Sequence, residues 1–226
     1  MTYPVPTEPS LRLVTSDGDT IADSDTLQGL WTVEQYLRFT DRSNRLIEFA
    51  DQRLEVLPVP TKRHQAIVKY LLFVLSALLD ARGGTVFFAP LRLKIRNGNF
   101  REPDLMAALD ANDPRLQDAY WLGADLVVEV VSEDDPLRDT VTKRAEYAQT
   151  GIPEYWVVNP LDETVTVLAL KGFGSQYAEG GEDSDGADGP EDAQYREHGI
   201  FRRGDMVTSA LIEGLVVGVD QVFDAR

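Results

Sequence analysis

An α/β domain, with a central sheet and helices packed on it, is the fold class the sequence predicts, and three stretches predict it. "DLVVEVVS" (125–132) is a nearly continuous apolar run around one glutamate, the pattern of a strand covered on both faces. "TKRHQAIVKYLLFVLSALLDARGG" (61–84) is apolar enough over helical length to pack deep in a core,. "TVFFAPLRLKIRNGNFREPDLMAAL" (85–109) reads as three strands in succession. Its Asn97-Gly98 step is a strong hairpin-turn signal,.

Residues 1–26 mix prolines, small polar residues and acids without periodicity, and read as a flexible arm before a domain over 27–226. In "WTVEQYLRF", Thr32 stands three residues before Gln35, the capping-box spacing of a short helix,. "NRLIEFADQRLEVLP" reads as two short strands turned at 50–52,. The long helix starts at Thr61 after Pro60 and stops at Gly83-Gly84,. After "DLVVEVVS", the segment "DPLRDTVTKRAEYAQTGI" is a helix from about Pro136 to Gly151, and "PEYWVVNP" with "TVTVLAL" makes a strand pair,. The acidic, glycine-rich tract at 178–192 has no apolar pattern and reads as a disordered loop inserted in a hairpin,. "AQYREHGIF", "GDMVTSALI" and "LVVGVDQVF" close the domain as short strands and turns.

Charge and composition narrow the function classes. The net charge of −16 argues against polyanion binding by the whole surface,. Between Arg53 and Arg101, however, nine basic residues face two acidic ones, a local balance of +7. Zero cysteines exclude disulfides and thiolate metal sites,. No basic start followed by an apolar segment marks a secretory signal, and the run 70–79 is about half a bilayer span,. A cytoplasmic protein without membrane contact is the expectation.

Glu129 is the informative residue, since a carboxylate inside "LVVEVV" costs several kcal/mol unless a cation or donor compensates it,. Asp104 opens a predicted strand 25 positions earlier. Two neighbouring strands can therefore present both carboxylates to one point, a donor set that suits a hard cation such as Mg²⁺.

Taken together, "REPDLMAAL", "DLVVEVVS" and "RDTVTKRAEYAQTGIPEYWVVNP", with "TVEQYLRF", "RLIEFADQRLEVLPVPTKRHQ" and "LIEGLVVGVDQVF" around them, resemble the Uma-type family of putative restriction endonucleases, a branch of the PD-(D/E)XK nuclease superfamily. The likeness runs from about Leu27 to Phe223. It implies a restriction-endonuclease-like central mixed β-sheet flanked by helices, with additional C-terminal strands. It also implies Mg²⁺, with Mn²⁺ as substitute, held by Asp104, Glu129 and the carbonyl of Val130, with Glu48 adding a carboxylate, and hydrolysis of DNA phosphodiesters. A homodimer would suit cutting of both strands. The chain departs from the parent motif at Val131, where the superfamily carries lysine. Lys143, in "DTVTK", is the substitute matching the family's segment, and Lys94 on a preceding strand is a second candidate. His64, Lys62, Arg63, Lys94 and Arg101 are candidate phosphate contacts.

Each residue also has a plainer reading. Asp104 is then a strand-edge solvent residue, Glu129 half of a metal-free buried ion pair, and Glu48 solvent-facing. Lys143 becomes the partner of Asp139 on a helix surface, and His64 a surface histidine. Val131 and the net charge favour an alternative function, a catalytically silent nuclease fold kept to bind nucleic acid or protein.

Overall fold

The computed structural model describes residues 12–14, 20–23, 27–43, 45–133, 135–172 and 193–226. The acidic tract 178–192 lies outside them. The chain divides into two compact units, residues 1–58 with 97–100, and 59–96 with 101–226.

In the first unit, β1 (Arg12–Val14) and β2 (Thr20–Asp23) pair antiparallel within the segment that reads as an arm. Helix α1 (Val33–Thr40) has the expected capping box, with Thr32 and Gln35 exchanging side-chain and backbone hydrogen bonds. Strands β3 (Ile47–Ala50) and β4 (Arg53–Val56) form a hairpin whose turn residues Asp51 and Gln52 have φ of 50° and 62°. Tyr36 stacks on Phe49 at 5.1 Å and packs against Phe100, which pairs with Phe49.

The second unit is built on a mixed six-stranded sheet. Helix α2 (Lys62–Leu79), capped by Thr61 and ended at Gly83 in the left-handed region, precedes β5 (Thr85–Phe88) and β6 (Leu93–Lys94). Asn97 and Gly98 have φ of 60° and 75°, as the expected turn requires. The chain continues through β7 (Phe100–Arg101), β8 (Leu105–Ala108) and β9 (Leu126–Val130). Where the sequence reads one strand after the turn, Glu102-Pro103 separates two, because proline has no N–H for a ladder,. A π-helical turn over Arg138–Thr142 leads into α3 (Lys143–Thr150), which ends at Gly151 with φ 84°. Strands β10 (Glu154–Asn159), β11 (Thr164–Leu170), β12 (Tyr195–Phe201), β13 (Met206–Thr208) and β14 (Val216–Gly218) follow, then α4 (Val219–Phe223). The closing segment read as strands and turns thus ends in a helix.

The sheet order is β12-β11-β10-β9-β8-β5, antiparallel throughout except for β9 against β10. One face carries α2, whose Ile67, Leu71, Leu75 and Leu79 pack with Leu105, Val128, Val130 and Trp156. By length and composition α2 would also suit a membrane, but these four residues are buried in this core. On the other face Tyr147 and Ala148 of α3 pack with Met106, Val127, Val131 and Tyr155. Such two-sided cover explains why β9 is buried at all five positions,.

Candidate active site

Alternation along β9 decides where Glu129 points. Val128 and Val130 face α2, so Glu129 faces α3 with Val127 and Val131,. On β8, Leu105 faces α2 and Met106 faces α3, and Asp104 immediately precedes the strand. Leu105 pairs with Val128, and continuing that register sets Asp104 opposite Glu129. The two carboxylates therefore stand at one level of the sheet on neighbouring chain segments.

Around them the second unit supplies a closed polar network. Asp104 Oδ2 accepts the Val130 N–H at 2.8 Å and lies 3.1 Å from His64 Nε2. Glu129 Oε1 accepts from Lys143 Nζ at 2.9 Å and from the Tyr147 hydroxyl at 2.6 Å. Lys143 Nζ also lies 3.3 Å from Asp139 Oδ1. The Tyr155 hydroxyl donates to the Asp139 carbonyl at 2.8 Å. Asp139, Lys143 and Tyr147 recur at helical spacing, so one stripe of the π turn and α3 delivers all three to the carboxylates.

Several plainer readings are corrected here. The Lys143 and Asp139 side chains are only 3% and 4% exposed; their pair is buried because the helix turns this stripe toward the sheet. His64 is not a surface residue, since the first turn of α2 carries it onto Asp104. Asp104 is more than a solvent residue, being engaged by both His64 and the Val130 amide. Glu48 is fully buried on β3 in the first unit, because Ile47 and Phe49 beside it are buried too and that strand is covered on both faces. The buried ion pair read as an alternative for Glu129 is present, and Lys143 is its partner.

Burial and neighbouring charge together shift three groups. Burial lowers the pKa of His64, yet its hydrogen bond to Asp104, the charges of Asp104 and Glu129, and the Val130 carbonyl carry it above 6.5. Burial lifts the Asp139 carboxyl above its ordinary range; Lys143 and Arg138 oppose this and Asp104 adds to it. Tyr155 is pushed well above 10, first by burial and then by Glu129, Asp139, Tyr195 and Asp104.

The expected phosphate contacts divide. Arg63 is paired with Glu163 at 2.8 Å. Arg101, 3% exposed, holds Glu146 in a two-pronged pair at 2.8 and 2.6 Å. Lys62, at the start of α2, and Lys94, on β6, are exposed. The residues missed in the sequence as site members are Tyr147 and Asp139, although their four-residue spacing from Lys143 was visible.

Among the described residues no three His, Asp or Glu side chains form a metal-holding group. Asp104, Glu129 and the Val130 carbonyl are all oxygen donors, the ligand type that hard cations take.

A profile of the Uma2 family, described as "Putative restriction endonuclease", matches residues 33–189. A solved structure described as a putative nuclease belonging to DUF820 from Anabaena variabilis ATCC 29413 is similar in fold, with a TM-score of 0.61 and 15% identity over 85% of this chain and 97% of that one. No curated protein matches the sequence.

Proposed function

Because the chain belongs to the Uma2 family of putative restriction endonucleases, we propose that it hydrolyses DNA phosphodiester bonds with a divalent cation, Mg²⁺ or Mn²⁺, held by Asp104, Glu129 and the Val130 carbonyl. The observation that supports this reading is the gathering of three carboxylates about two cationic groups, Asp104 on His64 and both Glu129 and Asp139 on Lys143. Buried carboxylate in excess calls for a cation.

The chemistry such an ion would supply is polarisation of the phosphoryl oxygens and a water made nucleophilic near neutral pH. The chain's own residues prepare the site. The Val130 amide and His64 hold one oxygen of Asp104, and Tyr147 fixes Glu129 through a hydroxyl hydrogen bond. Lys143 stands between two carboxylates and supplies a donor that orients the attacking water and offsets charge growing on phosphate. A lysine on the helix thus takes the part of the one absent at Val131.

A second reading, a silent nuclease fold that binds nucleic acid or protein, draws support from Lys143 already compensating Glu129 without a metal. Mn²⁺ titration followed by thermal melting, beside plasmid cleavage, separates the two. On the nuclease reading, Mn²⁺ raises the melting temperature and Asp104→Ala or Glu129→Ala abolishes the rise. Lys143→Ala keeps the metal-induced rise while cutting falls by about 10²-fold. A wild type that neither gains stability from Mn²⁺ nor cuts DNA leaves the silent module.

A further inference from the structure

One strand away from the carboxylates, on the face of the sheet that Glu129 takes, lies a cleft of about 480 Å³ walled by Phe87, Leu91, Leu116 and Trp121, with Gln117 and Asp118 among its lining residues. We propose that this cleft takes an unstacked nucleobase bearing an exocyclic amine, adjoining the phosphate held at the carboxylate site; the proposal rests on the nuclease reading for its placement.

Placement is the first argument. Phe87 pairs with Met106, whose side chain lies in the α3-side core with Trp121. Phe87 therefore faces the same side as Glu129. Met106 is two residues beyond Asp104, so one step between strands and two along them separate Phe87 from Asp104, roughly 8 Å between Cα atoms. A single strand could set a phosphate at the carboxylates and an adjoining base in the cleft.

Chemistry is the second. Trp121 is fixed by backbone hydrogen bonds to Arg92 and Lys94 and is almost wholly buried. Phe87 packs edge-on against it, with ring centroids 5.5 Å apart and planes at 72°, yet stays 45% exposed. It offers a supported aromatic face, the element on which sequence-tolerant stacking of unpaired bases is built. The cleft falls within the size range of small-ligand sites, which combine apolar walls with a few polar groups. Asp118 repels a phosphate but accepts a hydrogen bond from an amine, and the Gln117 amide both donates and accepts. Adenine and cytosine present such an amine, whereas thymine presents only acceptors and an imide N–H.

The test uses the full chain in EDTA with short fluorescent single-stranded oligo-dA, oligo-dC and oligo-dT, read by anisotropy, so neither metal nor cleavage intervenes. Wild type is expected to favour oligo-dA and oligo-dC over oligo-dT. Phe87→Ala should weaken the first two about tenfold, on the scale of one lost base–aromatic stack. Phe87→Tyr should restore them, and Asp118→Ala should bring oligo-dA and oligo-dC down to oligo-dT. Absence of binding by wild type, or equal binding by wild type and Phe87→Ala, overturns the proposal. So does a wild-type dimer in sedimentation that Phe87→Ala turns to monomer with oligonucleotide affinity unchanged, since the exposed face then belongs to a second copy. Plasmid cleavage in Mg²⁺, run in parallel, keeps the two readings apart. Phe87-dependent binding by a protein that never cuts sustains the cleft and removes the nuclease. Cutting by a protein whose binding ignores Phe87 does the reverse.

Discussion

Lys143 is the residue on which most of the site turns. Its ammonium touches Glu129 and Asp139, and all three side chains are nearly inaccessible. Truncating it leaves two buried carboxylates without their nearest cation, the situation in which breaking a buried pair costs about 3–5 kcal/mol. Lys143→Met should therefore lower stability in urea melts by that amount, and Glu129→Gln in the same chain should recover part of it. A loss of a few tenths, as for an exposed pair, would mean the network is open to solvent. Asp104 and Glu129 could be read in the sequence because a charge within or beside an apolar run demands a partner, and Lys143 through its match to the family's "DTVTK" segment. His64 was named as a candidate phosphate contact, but its pairing with Asp104 was not legible, because its place on the first turn of α2 tells nothing of which side of that turn meets Asp104. Tyr147 and Asp139 were visible as spacing but not as inward-facing, which only the packing of α3 decides.

Among the elements, β10 and β12 carry a testable electrostatic signature in their tyrosines. Tyr155 and Tyr195 have pKa values pushed well above 10, in each case by burial first. The Tyr195 hydroxyl donates to the Ile152 carbonyl at 2.8 Å. Above pH 10 the unfolded chain releases protons that the native state keeps, so the native state binds more and stability falls as pH rises. The stabilising arrangement is complete below pH 10 and is lost above it. Each buried tyrosine contributes up to about 1.4 kcal/mol per pH unit to that slope. Urea melts at successive alkaline pH values should show a shallower fall for Tyr195→Phe than for wild type; identical slopes would mean that Tyr195 ionises freely. Element types were largely legible, through the Thr32 capping box, the Thr61 cap, the Asn97-Gly98 turn and the run that became β9. Less legible were the π turn at Arg138–Thr142, which has no sequence period of its own, and α4, whose valines favour strands until the packing of Val219, Val222 and Phe223 makes them helical,.

At the scale of the whole molecule, the division into two units escaped the sequence because it depends on long-range pairing. Phe100 joins Phe49 across half a hundred positions, and no local pattern records that. Net charge was legible but its distribution over contacts was not. The basic balance of +7 between Arg53 and Arg101 suggests a phosphate-facing surface, yet Arg63 and Arg101 are engaged with Glu163 and Glu146, and Lys69 donates to the Arg226 carbonyl. Lys62 and Lys94 are the exposed cations left among the expected contacts. Nucleic-acid affinity falls with salt in proportion to the phosphates neutralised, by about 0.7 per contact for a single strand on logarithmic scales. Two contacts give a slope of about −1.4, shallow for a nucleic-acid protein, as a net charge of −16 leads one to expect. Oligonucleotide affinity measured in EDTA across a salt series should show that slope, and Lys62→Ala or Lys94→Ala should each reduce it by about 0.7. A slope of about −2.8 would mean that Arg63 and Arg101 leave their carboxylates to meet phosphate, and Arg101→Ala would then flatten it as strongly as either lysine variant.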